Sequence, residues 1–321
     1  MCYVKNFFIR ALRLLRQITI TILKILIVLL PVMLLWLYNN YKNNQSLLNN
    51  LQAQTNFQLT WQKENITAWT CGAVNTTNTV VVITPEYYED FYTPERMATY
   101  NIDNRANYVL TAFNRNFSDP FEVAKDISTL VKELRANYSN IIIAGHSKGT
   151  TISIAMLNYL SDTDYDMIIN ISATYNGTPL AMPEKMSEIL KPKKIFNFEY
   201  GTAILDFYLD TFDGDQADQI IREDSLFLQQ LDYSKINENK FINITAKSGF
   251  VSFFYDLWNF DPEGLALPFL DSILSLDGDG IVSLDSQESK IGSDVKTIPI
   301  KASHKSSYKV GLATVFKNLF N

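Results

Sequence analysis

Ser147 stands in the run Gly145, His146, Ser147, Lys148, Gly149, and a serine flanked in this way has the residue type and spacing of a covalent nucleophile. At neutral pH its hydroxyl attacks a carbonyl only if a neighbouring base takes the proton. The chain has just two histidines for that task, His146 and His304. His146 is inside the motif, where its side chain points away from the hydroxyl, and reads as a structural neighbour. His304 is therefore the candidate base. A base of this kind needs an acid to orient its ring and offset its charge. The stretch Leu276, Asp277, Gly278, Asp279, Gly280, Ile281, Val282, Ser283 offers two, Asp277 and Asp279. The same stretch has too few oxygen ligands at regular spacing for a calcium loop.

These residues need elements to hold them. Ile141, Ile142 and Ile143 follow the turn-forming Ser139 and Asn140 and read as a short buried strand. After the motif, Ile152, Ile154, Ala155, Leu157 and Leu160 cover one helix face. Ser147 is thus expected on a sharp strand-to-helix turn, hydroxyl outward, with Gly145 and Gly149 letting the two elements approach. The five-residue motif also arises by chance in a chain of 321 residues, but the flanking strand and helix are the context that the chemistry demands.

The remaining chain supplies a frame. Phe57 to Trp61 and Ile66 to Val74 read as an opening antiparallel pair, and Val80 to Ile83 as a second central strand. Further strands are expected at Tyr108 to Phe113, Met167 to Ile171, Phe241 to Thr245 and Val295 to Ile300. Ser118, Asp119 and Pro120 start a helix carrying Val123, Ile127, Leu130, Val131 and Leu134, and another amphipathic helix runs from Ser306. Strands alternating with helices predict an α/β architecture: a mainly parallel sheet with helices on both faces. From about 180 to 240 the pattern breaks into helical pieces rich in aromatics, among them Phe196, Phe198, Tyr200, Phe207, Tyr208 and Phe212. They form either a cap over the sheet edge or ordinary core helices. Phe250 to Leu270, with Phe253, Tyr255 and Trp258, either lines a pocket or packs.

The N-terminus differs from all of this. Residues 18–38 are almost wholly apolar, and 21 residues in a helix match a hydrocarbon core of about 30 Å. Lys24 can snorkel and Pro31 would at most kink the helix. Lys5, Arg10, Arg13 and Arg16 precede the segment and only Lys42 follows nearby, which keeps residues 1–17 in the cytoplasm and sends the rest of the chain outward. No small-x-small cleavage site follows Leu34, Leu35, Trp36, Leu37, Tyr38, so an uncleaved signal anchor is expected rather than a signal peptide. A polar stalk at 39–55 leads to the folded domain at 56–321. The chain carries 28 basic and 34 acidic groups, six of the basic ones before Asn43, so the outward part is acidic and nucleic acid is excluded as a natural partner. Cys2 and Cys71 would lie on opposite sides of the membrane, and no intramolecular disulfide is expected. The N-x-S/T triplets, such as those at Asn170 and Asn243 in expected buried strands, are not read as glycosylation sites.

With G-H-S-K-G, then T-Y-N-G-T-P, then D-G-D-G-I-V-S, then S-H in that order, the chain from about Val80 onward resembles the α/β-hydrolase superfamily, and within it lipases and related serine esterases. The resemblance implies an α/β-hydrolase-type sheet with a helical cap and a triad in the order Ser147, Asp279, His304. Asp279 is favoured over Asp277 because it directly precedes Gly280, Ile281 and Val282, the step that follows the acid in such lipases. It also implies an oxyanion hole built from backbone N–H groups. One is that of Lys148. Where many relatives have His-Gly this chain has Thr84, Pro85, Glu86, and since proline lacks an N–H the second donor is assigned to Glu86, with Tyr87 next in line. No cofactor or metal is implied. The expected activity is hydrolysis of carboxylic esters of lipids or other apolar acyl groups by a single-pass membrane protein. Thioesterase and acyltransferase chemistry would use the same triad, and a catalytically silent domain that binds lipid or protein is the alternative from another class.

Overall fold

Short runs of β-branched residues become strands, and the computed structural model joins eight of them in one sheet, in the order β1-β2-β4-β3-β5-β6-β7-β8. It describes residues 57–71, 78–92, 97, 100, 103, 105–117, 119–178, 181, 216–248 and 277–319. Residues 1–17, the apolar segment 18–38 and the polar stretch 39–55 lie outside the described residues. So do 182–215 of the expected cap and the aromatic stretch 250–270. No helix among the described residues is long and apolar enough to cross a membrane.

β1 (Phe57–Gln62) and β2 (Ile66–Cys71) pair antiparallel, as the two opening apolar runs predict. β2 also runs antiparallel to β4 (Asn107–Phe113), and it alone opposes the direction of the rest. β3 (Thr79–Ile83), β5 (Asn140–His146), β6 (Met167–Ile171), β7 (Phe241–Lys247) and β8 (Lys296–Lys301) complete a parallel set with β4. The central strands read V-V-V-I and I-I-I-A because both faces are covered. Val80, Val82, Ile141 and Ile143 pack on one side with α1 (Pro120–Arg135) and α2 (Lys148–Met156). Val81, Ile83, Ile142 and Ala144 pack on the other, against Tyr308, Leu312, Val315 and Phe316 of the last helix. This is the period-two alternation of a strand, and each fully buried isoleucine or valine contributes about 1.5–3 kcal/mol. At the outer edge, Lys296, Pro299 and Lys301 of β8 discourage further strand pairing.

Capping residues fix where the helices start. Asp119 accepts from the N–H of Phe121 at 2.8 Å, and Pro120 begins α1, as its sequence predicts. Residues 216–240 hold α3 (Gln216–Gln219) and α4 (Leu226–Gln230), with Ile220, Ile221, Phe227 and Leu228 buried in the core that contains α1. α5 (Leu284–Glu288) is short. The final helix, α6 (His304–Leu319), begins two residues before the expected Ser306. The reason is local: the Ser306 hydroxyl accepts from the Ser303 N–H at 3.1 Å, and the Ser303 carbonyl accepts from the Ser307 N–H at 2.8 Å, a cap that places His304 in the first turn.

Candidate active site

β3 connects outward to β4 on one side while β5 lies on its other side, so the chain reverses its progress across the sheet beside the carboxyl end of β5. Crevices at such reversals are where open α/β sheets hold ligands. Ser147 stands there, between β5 and α2.

Its backbone has φ 49° and ψ −122°, a conformation that non-glycine residues adopt at a cost on the order of 1–3 kcal/mol. Neighbouring bonds hold it. The Ser147 N–H donates to the Ile171 carbonyl at 3.1 Å, and the Ser147 carbonyl accepts from the Thr150 N–H at 3.1 Å, the Thr150 hydroxyl at 2.6 Å and the Thr174 hydroxyl at 3.2 Å. The flanking glycines are dictated by contact. A Cβ on Gly149 would come within 2.9 Å of the Thr84 carbonyl, and one on Gly145 within 2.9 Å of the Thr150 Cα. Among the described residues the Ser147 hydroxyl has no hydrogen-bond partner, and the Nε2 of His304 is likewise unengaged. In sites without substrate such contacts are often long and tighten only when the reacting group binds.

Asp279 and His304 are brought together. Asp279 Oδ2 lies 2.8 Å from His304 Nδ1, and the His304 N–H donates to the Asp279 carbonyl at 2.8 Å. The other carboxylate oxygen accepts from the N–H groups of Ile281 at 3.0 Å and Val282 at 2.8 Å. Burial opposes ionisation of Asp279, but the His304 ring and the two N–H donors outweigh it and hold the carboxyl below its usual range. A carboxylate accepts only, so Nδ1 of His304 carries a proton toward Asp279. Asp277 is elsewhere: its side chain is 72% exposed and pairs with Lys247, while its carbonyl receives the Leu284 N–H.

Lys148 supplies the first N–H of α2, one of the donors a helix start leaves unpaired. Its ammonium is buried, 2.7 Å from Asp218 of α3 and 5.6 Å from the Tyr87 ring centroid. The Glu86 N–H faces the buried Tyr92 hydroxyl, which has no well-formed bond of its own. His146 keeps company that the sequence did not announce. Its ring packs on that of His304, centroids 4.7 Å apart, with Glu86 Oε2 3.0 Å from its Nδ1. Neither the Lys148–Asp218 pair nor the Glu86–His146 pair was legible beforehand, because both join residues at least 60 positions apart with no shared motif. Among the described residues no group of three or more His, Cys, Asp or Glu is assembled to hold a metal ion.

No family model and no curated protein matches the chain. Among solved structures it is similar to the mature form of a Bacillus licheniformis lipase, at 16% identity, covering 76% of this chain and 91% of that one with a TM-score of 0.48. It is also similar to a soluble variant of the Saccharomyces cerevisiae monoglyceride lipase in complex with a substrate analogue, at 13% identity, 83% and 94% coverage and a TM-score of 0.45. A third is an alpha/beta hydrolase fold protein from Chitinophaga pinensis, at 10% identity, 84% and 98% coverage and a TM-score of 0.46. The strand order, the single antiparallel strand near one edge and the strained serine between β5 and α2 give this chain an α/β-hydrolase fold.

Proposed function

We propose that the protein is a serine hydrolase of carboxylic esters. Ser147 attacks the carbonyl, His304 takes the hydroxyl proton at Nε2 and later delivers it to the leaving alcohol, and Asp279 fixes the ring and offsets its transient charge. The tetrahedral oxyanion is received by the Lys148 N–H and, as second donor, the Glu86 N–H. Water then repeats the sequence on the acyl-enzyme. The observation that carries this reading is the Asp279–His304 pair at the same sheet edge as a serine held at φ 49°. Parallel β5, β7 and β8 send all three residues to that edge.

The substrate proposed is a lipid or other apolar acyl ester, and the domain is held outside the cytoplasm by the apolar segment 18–38. The 21 apolar residues, the basic groups before them and the aromatic stretches support both parts of this. The deciding experiment is labelling with a fluorophosphonate probe, wild type against Ser147→Ala. Label on the wild type alone supports the enzyme; a folded wild type that takes no label leaves a silent binding domain. With p-nitrophenyl esters, each added buried CH₂ should contribute about 0.8 kcal/mol until the pocket is full, and a preference for acetyl esters with no such gain overturns the apolar assignment. A C-terminal reporter should be active only outside the cytoplasm.

A further inference from the structure

Beside the Asp279–His304 pair lies a second histidine–carboxylate pair that the proposed mechanism leaves idle. The side chains of His146 and Glu86 are 5% and 6% exposed. His146 Nδ1 is 3.0 Å from Glu86 Oε2, and its Nε2 is 3.0 Å from the His304 carbonyl and 2.9 Å from Ser307 Oγ. A carbonyl oxygen only accepts, so a proton belongs on Nε2. The Ser307 hydroxyl donates its own proton to the same carbonyl at 2.7 Å and receives that of Ser172 at 2.7 Å, so neither serine has a proton to give Nε2. On the opposite side of the ring Nδ1 lies 3.0 Å from Glu86 Oε2, a charge contact out of line for a well-formed hydrogen bond, and the negative charge there favours a second proton on Nδ1. A ring with both protons is an imidazolium, and Glu86 is its counter-ion.

The pair reaches both halves of the site. Glu86 lies just after β3, in the loop assigned the second oxyanion donor; His146 adjoins Ser147; and the carbonyl that His146 holds is that of the base itself. His304 is thereby fixed at both ends of its own residue, its N–H by the Asp279 carbonyl and its carbonyl by His146. We propose that Glu86 and His146 are positioning residues, a buried ion pair that sets the His304 ring against the serine turn and ties the oxyanion loop to the start of α6. The proposal rests on His304 being the base.

The surroundings agree. Burial works against a charge on His146, but the Glu86 carboxylate overcomes it and raises the ring above its ordinary range. The other groups facing that ring are Asp279, the His304 ring and the Tyr308 phenol, whose centroid is 5.9 Å away. Burial and then Glu86 push the phenols of Tyr92 and Tyr100 far above their usual range, so these rings stay neutral beside the carboxylate.

With only two histidines in the chain, ¹⁵N-histidine NMR of the full-length protein can report each ring separately. At pH 7.5 His146 should carry protons on both nitrogens in the wild type and on one in Glu86→Gln. The downfield Nδ1–H signal of His304, bonded to Asp279, should broaden away in His146→Ala and persist in His146→Gln, whose amide can still donate to the His304 carbonyl. In kinetics per active site titrated with fluorophosphonate, His146→Ala should lose on the order of a hundredfold in kcat at unchanged KM, and His146→Gln should recover part of it. A purely structural role would reduce the titratable fraction and the Tm but leave kcat per site intact. A singly protonated His146 in the wild type, or a His304 signal indifferent to His146→Ala, overturns the proposal. Should the wild type take no label, the ester-hydrolase reading fails while the NMR result still decides whether His146 braces His304.

Discussion

Two histidine–carboxylate pairs stand ring against ring at the top of one sheet, and their carboxylates are served differently. Asp279 has three donors, two from the backbone of its own loop and one from His304. Glu86 has His146 at one oxygen and, among the described residues, nothing at the other. Asp279 is kept ionised first by the His304 ring and further by the Val282 and Ile281 N–H groups of its own loop. Glu86 has no such help, and its ring has to supply a whole positive charge. An aspartate–histidine pair backed by its own loop and a glutamate–histidine pair without that backing are therefore expected to differ in the charge that the ring carries. What separates them is the number of N–H groups aimed at the acid.

The largest effect that tests this contrast is at Asp279. Asp279→Asn keeps an oxygen for the Ile281 and Val282 N–H groups but removes the carboxylate from His304. In serine proteases the corresponding substitution lowers kcat by about 10⁴, and a similar fall is expected here with the Tm little changed. An enzyme that tolerates Asp279→Asn would dissolve the distinction between the two pairs. Next comes Gly149→Ala, which sets a methyl against the end of β3 where the Glu86 loop begins; a destabilisation of about 1–3 kcal/mol by chemical denaturation is expected, together with lost turnover.

The pH dependence of stability should divide the pairs by sign. Asp279 is depressed in the folded state, so its contribution is present above the ordinary carboxylate range and is lost as pH falls through its lowered folded value. His146 is raised, so its contribution is complete below the ordinary histidine range and is lost as pH rises through its folded value. Thermal unfolding across pH should show Asp279→Asn flattening the acid side and His146→Gln the neutral-to-alkaline side; one variant flattening both would mean that the pairs titrate as a unit. The smallest effect belongs to Asp277→Asn. Its exposed ion pair with Lys247 is worth at most about 0.5–1 kcal/mol, asparagine tolerates its φ of 48°, and ester hydrolysis should be unchanged.

The frame was readable because its signals are local. Runs such as V-V-V-I and I-I-I-A, the Asp119-Pro120 start and the G-x-S-x-G turn each declare an element within a few residues, and the sheet contains them in the expected direction. Asp279 differs from Asp277 for an equally local reason, since only Asp279 is followed by the Gly280 step that folds two N–H groups back onto its side chain. The start of α6 was missed because the Ser303–Ser306 cap looks like loop sequence until both serines are seen to bond. The aromatic pieces that suggested a cap, Phe196 to Phe212, lie outside the described residues. The pairs Glu86–His146 and Lys148–Asp218 were beyond reach altogether: a charged residue in sequence carries no sign of a partner 60 or 70 positions away.

The bond from His146 to the His304 carbonyl spans 158 residues, and Glu86 lies further still from His304. Contacts this distant in sequence close late, because the loop entropy must be overcome before they give anything back. The strained serine turn, by contrast, depends on β5, α2 and the ends of β3 and β6, all of which precede Tyr175. On refolding, the serine turn is therefore expected to form before the eighth strand and α6 bring His304 beside it. Recovery of central-sheet structure, followed by circular dichroism, should then precede recovery of fluorophosphonate labelling, and an incompletely folded chain should present a serine that does not react.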